Sequence, residues 1–352
     1  VTGWRMPAEW ERHDATWISW PHHEPDWPGK IEAVRWVYAE IVRVLADHER
    51  VEILCDSEAV RDSAAAMLRA HNVAMQRVNL LLVRTDRVWL RDSGPSFVWN
   101  VNGEVAMVAW GFNAWAKYDN FARDRRVPEA IQHATGFPLV QATRADRPDS
   151  PLILEGGGID VNGQGRILVT EEWLLSDVQV RNPGFTRADY EQAFATYLGC
   201  HDTIWLGNSC AGDDTHGHVD DVARFANFDT VLLAYEDDPR DENHASSVDN
   251  LNRLRLAAER QPLSVVLLPY PRPVIMDGQR LPASYANFYV ANGVVLVPTF
   301  NDPNDRVALN AIAGLFPDRT VVGIHAVDLV WGLGTLHCLT QQQPAMALHT
   351  RV

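Results

Sequence analysis

The sequence predicts an α/β fold built from one strand–strand–helix–strand unit, used about five times and packed into a ring. Three observations carry that prediction: an apolar hairpin that recurs along the chain, a helix and then an apolar strand after most copies, and a distinctive polar cluster just before each hairpin. The hairpins lie at 97–108, at 158–163 with 166–170, at 223–234 and at 287–297. Three of them turn at Asn-Gly (Asn102-Gly103, Asn162-Gly163 and Asn292-Gly293). Asn-Gly between apolar runs marks a hairpin because both turn positions need positive φ.

The helices follow in order. Ile31, Val34, Tyr38, Ile41 and Leu45 fall at helical spacing and precede an apolar strand at 51–55. The stretch 186–198 has Thr186 as cap, Asp189 at the capping-box position, Tyr190, Phe194 and Tyr197 on one face and Gly199 as stop, with a strand at 203–206 behind it. Val248, Leu251 and Leu254 define a helix over 248–258 followed by a strand at 263–268. A helix over 307–315 ends before Pro317 and leads to a strand at 320–324. A unit of this kind cannot close its own core, so neighbouring units must bury one another. No Gly/Ser linker or shift in composition divides the chain, so residues 1–352 are expected to form one catalytic domain, with 142–150 and 235–242 as surface loops.

The polar clusters are W-L-R-D-S-G-P at 89–95, L-E-G-G-G at 154–158, D-D-T-H-G-H-V-D-D at 213–221 and S-Y-A-N at 284–287. The run G-L-G-T-L-H-C-L-T-Q-Q-Q-P at 332–344 opens an incomplete last unit. With Asp92, Glu155, His218, Asn287 and Cys338 as markers, the spacings are 63, 63, 69 and 51 residues. Equivalent positions in a ring of similar units converge at one end of its axis. Two acids, a histidine, an asparagine and a cysteine are therefore expected to meet.

Such a set has readable chemistry. A thiolate attacks electrophilic carbon, and a histidine moves protons near neutral pH. His218 and Asp220 stand two apart, which on a strand puts them on one face. The carboxylates of Asp92 and Asp220 suit a planar cation with forked N–H donors. Glu155 can orient the imidazole, and the glycines at 156, 157, 158, 332 and 334 permit close backbone approach. Cys55, Cys200 and Cys210 are read as core residues, His13, His22, His23 and His349 as structural, and Arg91 as a member of an ion pair.

Composition narrows the field. With 46 acidic residues against 31 Lys and Arg, the net charge of −15 argues against nucleic acid and anionic membranes as partners. Four widely spaced cysteines with no C-x-x-C exclude a disulfide framework and a structural zinc site. No apolar run reaches the length of a membrane span, and the first residues carry no signal pattern, so a reducing, cytoplasmic setting is expected. A homo-oligomer is compatible with this composition.

At its polar clusters the sequence resembles the agmatine deiminase and bacterial peptidylarginine deiminase family of the guanidino-group-modifying superfamily. The motifs run nearly end to end: M-P-A-E-W-E from Met6, W-I-S-W-P from Trp17, W-x-R-D-x-G-P, E-G-G-G, G-D-D-T-x-G-H-V-D, S-Y-x-N-F-Y, N-D-P-N-D and H-C-x-T-Q-Q-Q-P. The resemblance implies a five-fold pseudosymmetric α/β propeller of repeated ββαβ units that needs no metal and no organic cofactor. It implies Cys338 as nucleophile, His218 as acid and base, Glu155 as its orienter, and Asp92 and Asp220 as the grip on the nitrogens flanking the attacked carbon. Ammonia would leave to give a covalent thiouronium on Cys338, which water activated by His218 then releases as a ureido product. Trp89, Asn287, His216, Gly334 and Thr335 are the remaining candidates for binding a small guanidine, amidine or azole.

Three departures bear on substrate. Arg87 stands where the family usually has an acid, His216 where an Asp or Asn usually precedes G-H, and G-L-G-T-L-H-C replaces the usual G-G-G-N-I-H-C, putting Leu333 beside the nucleophile. A dicationic substrate such as agmatine is expected to be disfavoured by these residues. One alternative is hydrolytic denitration of 2-nitroimidazole, whose attacked carbon also lies between two nitrogens. Another class is a metal-dependent amidohydrolase built on His216-x-His218-x-Asp220, and a third is a binding module without chemistry.

Overall fold

The computed structural model describes residues 3–347; Val1, Thr2 and residues 348–352, with His349 among them, lie outside the described residues. The chain folds as mixed α and β structure in which one pattern repeats. Strand β1 (His13–Ser19) leads through helix α1 (Ile31–Ala46) to β2 (Arg50–Cys55), then through α2 (Glu58–Ala70) to β3 (Val78–Leu82). The three strands are parallel. Helix α1 forms because Val34, Tyr38, Ile41 and Leu45 line one face, and all four are fully buried.

A one-turn helix α3 (Leu90–Ser93) then precedes the hairpin β4 (Ser96–Trp99) and β5 (Val105–Ala109), with α4 (Val127–Thr135) crossing to β6 (Leu139–Gln141). The next unit runs β7 (Asp160–Val161), β8 (Arg166–Thr170), α5 (Glu171–Leu175), α6 (Arg187–Leu198) and β9 (Asp202–Leu206). After it come β10 (Ala223–Asn227), β11 (Thr230–Tyr235), α7 (Asn243–Arg260) and β12 (Ser264–Pro269). A two-stranded ribbon, β13 (Ile275–Met276) with β14 (Gln279–Arg280), precedes β15 (Tyr289–Ala291), β16 (Val294–Thr299), α8 (Pro303–Leu315) and β17 (Thr320–His325). In each of these four units the first strand is antiparallel to the second, and the second is parallel to the third. The chain closes with α9 (Leu336–Leu339) and β18 (Gln341–Pro344). Strand β18 pairs antiparallel with β1, so β18, β1 and β2 repeat the pattern of the other four sheets, with β3 added as a fourth, parallel strand.

Helix α6 has the anticipated ends: Thr186 and Asp189 form a reciprocal capping box and Gly199 closes it with φ of 69°. Two helices begin earlier than the apolar pattern indicates. Helix α8 starts at Pro303, not 307, because Asp302 caps it and Asp305 returns the bond; N-D-P-N-D is a capping box with proline in the first turn. Helix α7 starts at Asn243, not 248, because its first turn is polar yet buried: Asn243 accepts from the Ala211 N–H and Ser247 donates to the Asn243 carbonyl. Cys55, Cys200 and Cys210 are buried and free. Among the described residues no helix is long and apolar enough to cross a membrane.

Candidate active site

The sequence markers sit on short helical turns that lead into the hairpins, not on the strands themselves. Asp92 is on α3, Cys338 on α9, Glu155 just before a turn over Gly156–Gly158, and His218 just before one over Val219–Asp221. The expectation that His218 and Asp220 share a strand face is therefore corrected. They converge because the turn folds both side chains inward.

Cys338 is buried, and its sulfur faces a cavity of about 320 Å³. Asn287 holds it from below. Its Nδ2 donates to Cys338 Sγ at 3.1 Å and to Asp221 Oδ1 at 3.0 Å, while its Oδ1 accepts from Thr335 Oγ1 at 2.8 Å and the His337 N–H at 2.9 Å. The thiol lies 3.5 Å from Asp220 Oδ2. Gly332 and Gly334 have no room for a Cβ, which would lie 2.6 Å from the Trp27 ring and 2.8 Å from the Trp89 ring respectively.

His218 is buried between carboxylates. Its Nε2 lies 3.4 Å from Glu155 Oε2, and Glu155 is itself fixed by Arg181 Nε at 3.1 Å and Trp173 Nε1 at 2.6 Å. The other ring nitrogen, Nδ1, is 3.8 Å from Asp92 Oδ1, too far for a hydrogen bond, and has no other partner among the described residues. Asp92 accepts from the Gly157 N–H at 3.0 Å and from Trp115 Nε1 at 2.8 Å. A Cβ on Gly157 would stand 2.6 Å from His218 Nδ1, 2.8 Å from Asp92 Oδ1 and 3.1 Å from Asp220 Oδ2. Three chemically active atoms thus surround one point, and only glycine leaves that point free.

A second group of charges backs this cluster. His337 reaches Asp220 Oδ2 through Nδ1 at 2.7 Å and Glu9 Oε2 through Nε2 at 2.9 Å. A neutral imidazole carries one N–H, so bonding both oxygens needs a second proton on the ring or on a carboxyl. Glu9 also meets Arg224 at 2.9 Å, Arg91 at 3.4 Å and the Val290 N–H at 2.7 Å. Arg91 is thus a member of an ion pair. The sequence reading missed Glu9 and His337. The H-C pair displayed His337, whereas Glu9 lies 328 residues away and shows in the sequence only as the first Glu of M-P-A-E-W-E.

The peripheral candidates divide. Trp89 and Gly334 line the cavity. Thr335 and Asn287 lie beneath Cys338, not on the wall, because their polar atoms are spent on each other, on the α9 backbone, on the Cys338 sulfur and on Asp221. His216 turns away: with φ of 62° its ring bonds Ser176 Oγ at 3.0 Å and faces Glu172 on an outer surface. His216 and His218 therefore diverge, and H-x-H-x-D does not gather into one ligand set. Arg87 does line the cavity.

Burial and charge set the protonation states. Burial alone would lower His218, but Asp92, Glu155 and Asp220 outweigh it and raise the ring to about 9. Burial raises Asp92 to about 6 in spite of the His218 ring beside it. Glu155 falls to about 2, where Arg181 and His218 overcome the burial that opposes them. Asp220 is likewise held low by His337 against its burial. Burial, and then the carboxylates of Asp220, Asp221 and Asp92, push the Cys338 thiol far above its ordinary range.

The chain is similar to known proteins over nearly its whole length. The sequence model of the Porphyromonas-type peptidyl-arginine deiminase family matches residues 5–344. The agmatine deiminase of Pseudomonas aeruginosa is 34% identical, over 97% of this chain and 96% of its own length. The solved structure of an Enterococcus faecalis agmatine deiminase catalysing its reaction superposes with a TM-score of 0.89 at 29% identity, covering 98% of this chain and 97% of that one. A cysteine-to-serine variant of the C. jejuni agmatine deiminase with substrate bound superposes with a TM-score of 0.86 at 25% identity, covering 97% of each chain.

Proposed function

The chain belongs to the peptidyl-arginine and agmatine deiminase family, and from that premise we propose that it is a cysteine hydrolase that deiminates a small guanidino compound to a ureido product and ammonia. One observation carries the reading: an imidazole and two carboxylates meet around one free point, and a buried thiol that lines a cavity lies 3.5 Å from one of those carboxylate oxygens. We read the five sheets as blades of a five-fold propeller within one catalytic unit, a reading supported by their common strand pattern and by β18 completing the first sheet.

The course follows from the charges. The guanidinium enters between Asp92 and Asp220, which accept its N–H groups. Its positive charge offsets the neighbouring carboxylates that, after burial, keep the thiol protonated, so Cys338 loses its proton to water and Sγ bonds to the central carbon. His218, protonated at neutral pH and with Nδ1–H unengaged, gives a proton to the departing nitrogen, and the C–N bond breaks to release ammonia. The remaining carbon is a thiouronium on Sγ. Neutral His218 then takes a proton from water, and the hydroxide adds to carbon. The C–S bond breaks to leave the ureido product while the thiol regains a proton.

Colorimetric assay of ammonia, ureido product and nitrite over agmatine, arginine, peptidyl-arginine and 2-nitroimidazole tests the reading. Ammonia with one equivalent of ureido product is expected from a guanidino member of the panel. Nitrite from 2-nitroimidazole, with every guanidine inert, would replace deimination by denitration.

Two variants probe the parts. Glu155→Gln removes one of the carboxylates that raise His218, so the ring loses its proton at lower pH. The alkaline limb of kcat/KM is expected to move down by about 1 pH unit or more, and an unmoved limb would remove Glu155 from this role. Gly157→Ala puts a methyl at the point shared by His218, Asp92 and Asp220. A loss of about 100-fold in kcat/KM is expected, the scale of an ångström-sized misplacement, and full activity would show that substrate does not use this space.

A further inference from the structure

Resting on the deimination reading, we infer that the substrate's tail is uncharged and apolar, and that Leu333 selects it. The cavity that Cys338 and Asp92 line is also walled by Trp89, Trp115, Tyr118, Trp331 and Leu333. Its other charged residues pair within the protein, and the carboxylate oxygen left without a hydrogen bond among the described residues, Asp26 Oδ2, is itself buried out of reach of the cavity. Asp26 pairs with Arg87 at 2.5 Å and with His23 Nδ1 at 3.1 Å. Asp214 accepts from Lys117 and, at 2.7 Å, from the Tyr118 hydroxyl. Arg87 donates its second terminal nitrogen to Asn120 at 3.1 Å, and the guanidinium lies 4.2 Å from the centroid of the Tyr118 ring.

An ammonium on the tail would have to take Asp26 from Arg87 or Asp214 from Lys117. A carboxylate would have to make the opposite exchanges. Either leaves one protein charge without its partner and strips the incoming charge of water, which opposes binding. An apolar tail gives up nothing and covers aromatic surface. Agmatine, the compound in the relatives' names, ends in an ammonium, so this wall points away from it.

Leu333 supplies the second observation. It occupies the left-handed region with φ of 70°, where a branched side chain is strained and glycine is not. Its neighbours Gly332 and Gly334 are barred from carrying a Cβ by Trp27 and Trp89. Between Trp331 and the nucleophile's helix, position 333 is thus the place among 332–334 from which a side chain reaches the cavity. It holds an apolar one at a backbone cost, and strain of that kind persists where function uses it.

The test compares three guanidines of similar length that differ at the tail end: pentylguanidine, agmatine and 4-guanidinobutyrate. Each is measured for kcat/KM with the intact enzyme and for binding to the Cys338→Ser variant by calorimetry. Pentylguanidine is expected to exceed both charged analogues by about 10-fold or more in both measurements. Leu333→Gly should cut kcat/KM for pentylguanidine by about 10-fold and bring its ratio to agmatine toward one. Leu333→Ala, which keeps the backbone conformation but loses the contact, should do the same if the glycine variant folds poorly. Preference for agmatine or 4-guanidinobutyrate, or an unchanged ratio in both Leu333 variants, overturns the inference. If no guanidine turns over, the binding order still decides it, and the deimination reading fails separately.

Discussion

Replacing Cys338 by serine is expected to lower kcat by about 10⁴-fold or more, the scale on which enzymes lose a covalent nucleophile. Two features of the site make the loss large. A serine hydroxyl is far harder to ionise than a thiol, and here it would stand among Asp220, Asp221 and Asp92, which already oppose ionisation of the sulfur. The fold should be indifferent to the change. Serine nearly matches the shape of cysteine, and Asn287 Nδ2, now 3.1 Å from Sγ, can donate to a hydroxyl oxygen. A melting temperature within about 2 °C of the wild type is expected. The variant should still bind substrate, because Asp92, Asp220 and the cavity wall are untouched. Activity within 10-fold of the wild type, measured as ammonia release, would end the nucleophile assignment.

The second large effect is expected from His218→Gln. Loss of the proton donor and acceptor should lower kcat by about 10³-fold, in the middle of the range for acid–base catalysis. Stability should also change with pH in a defined direction. The folded protein holds His218 at about 9, above its ordinary value, so the ring stabilises the fold fully below pH 6.5, and this contribution is lost as pH rises through 9. Above pH 6 the cation also lies beside an ionised Asp92 and an ionised Glu155. Thermal melts from pH 6 to pH 10 should therefore show a decline in the wild type that is smaller in His218→Gln. Parallel melting curves would mean that the ring is not held as a cation, and the proton-transfer scheme would need another donor.

The legibility of this protein in its sequence varied with the distance over which each constraint acts. Local constraints were plain. The capping box at Thr186 and Asp189 and the stop at Gly199 fixed α6 to the residue. The repeat also exposed one residue of the candidate site per unit, because Asp92, Glu155, His218, Asn287 and Cys338 occupy corresponding places before the first strand of each sheet. What escaped was set by packing. The turn that aims His218 and Asp220 together looks like the start of a strand, since alternation over three residues does not separate a strand from a tight turn. His216 was counted with the pocket for standing next to it in sequence, yet its left-handed backbone sends the ring to Ser176. Glu9 touches His337, Arg91 and Arg224, partners that the folded chain alone brings together. The polar first turn of α7 was invisible for a related reason: Asn243 and Ser247 are buried by bonds to the backbone, which hydrophobic periodicity does not register.

Labelling with 2-chloroacetamidine asks whether Cys338 is the nucleophile, because the reagent carries an amidine for the two carboxylates and an alkylating carbon for the thiolate. Peptide mass spectrometry after inactivation is predicted to find one equivalent on Cys338, slowed by a guanidino substrate, with activity falling in step. Activity that survives full modification of Cys338, or inactivation with the label on Cys55, Cys200 or Cys210 alone, would contradict the account.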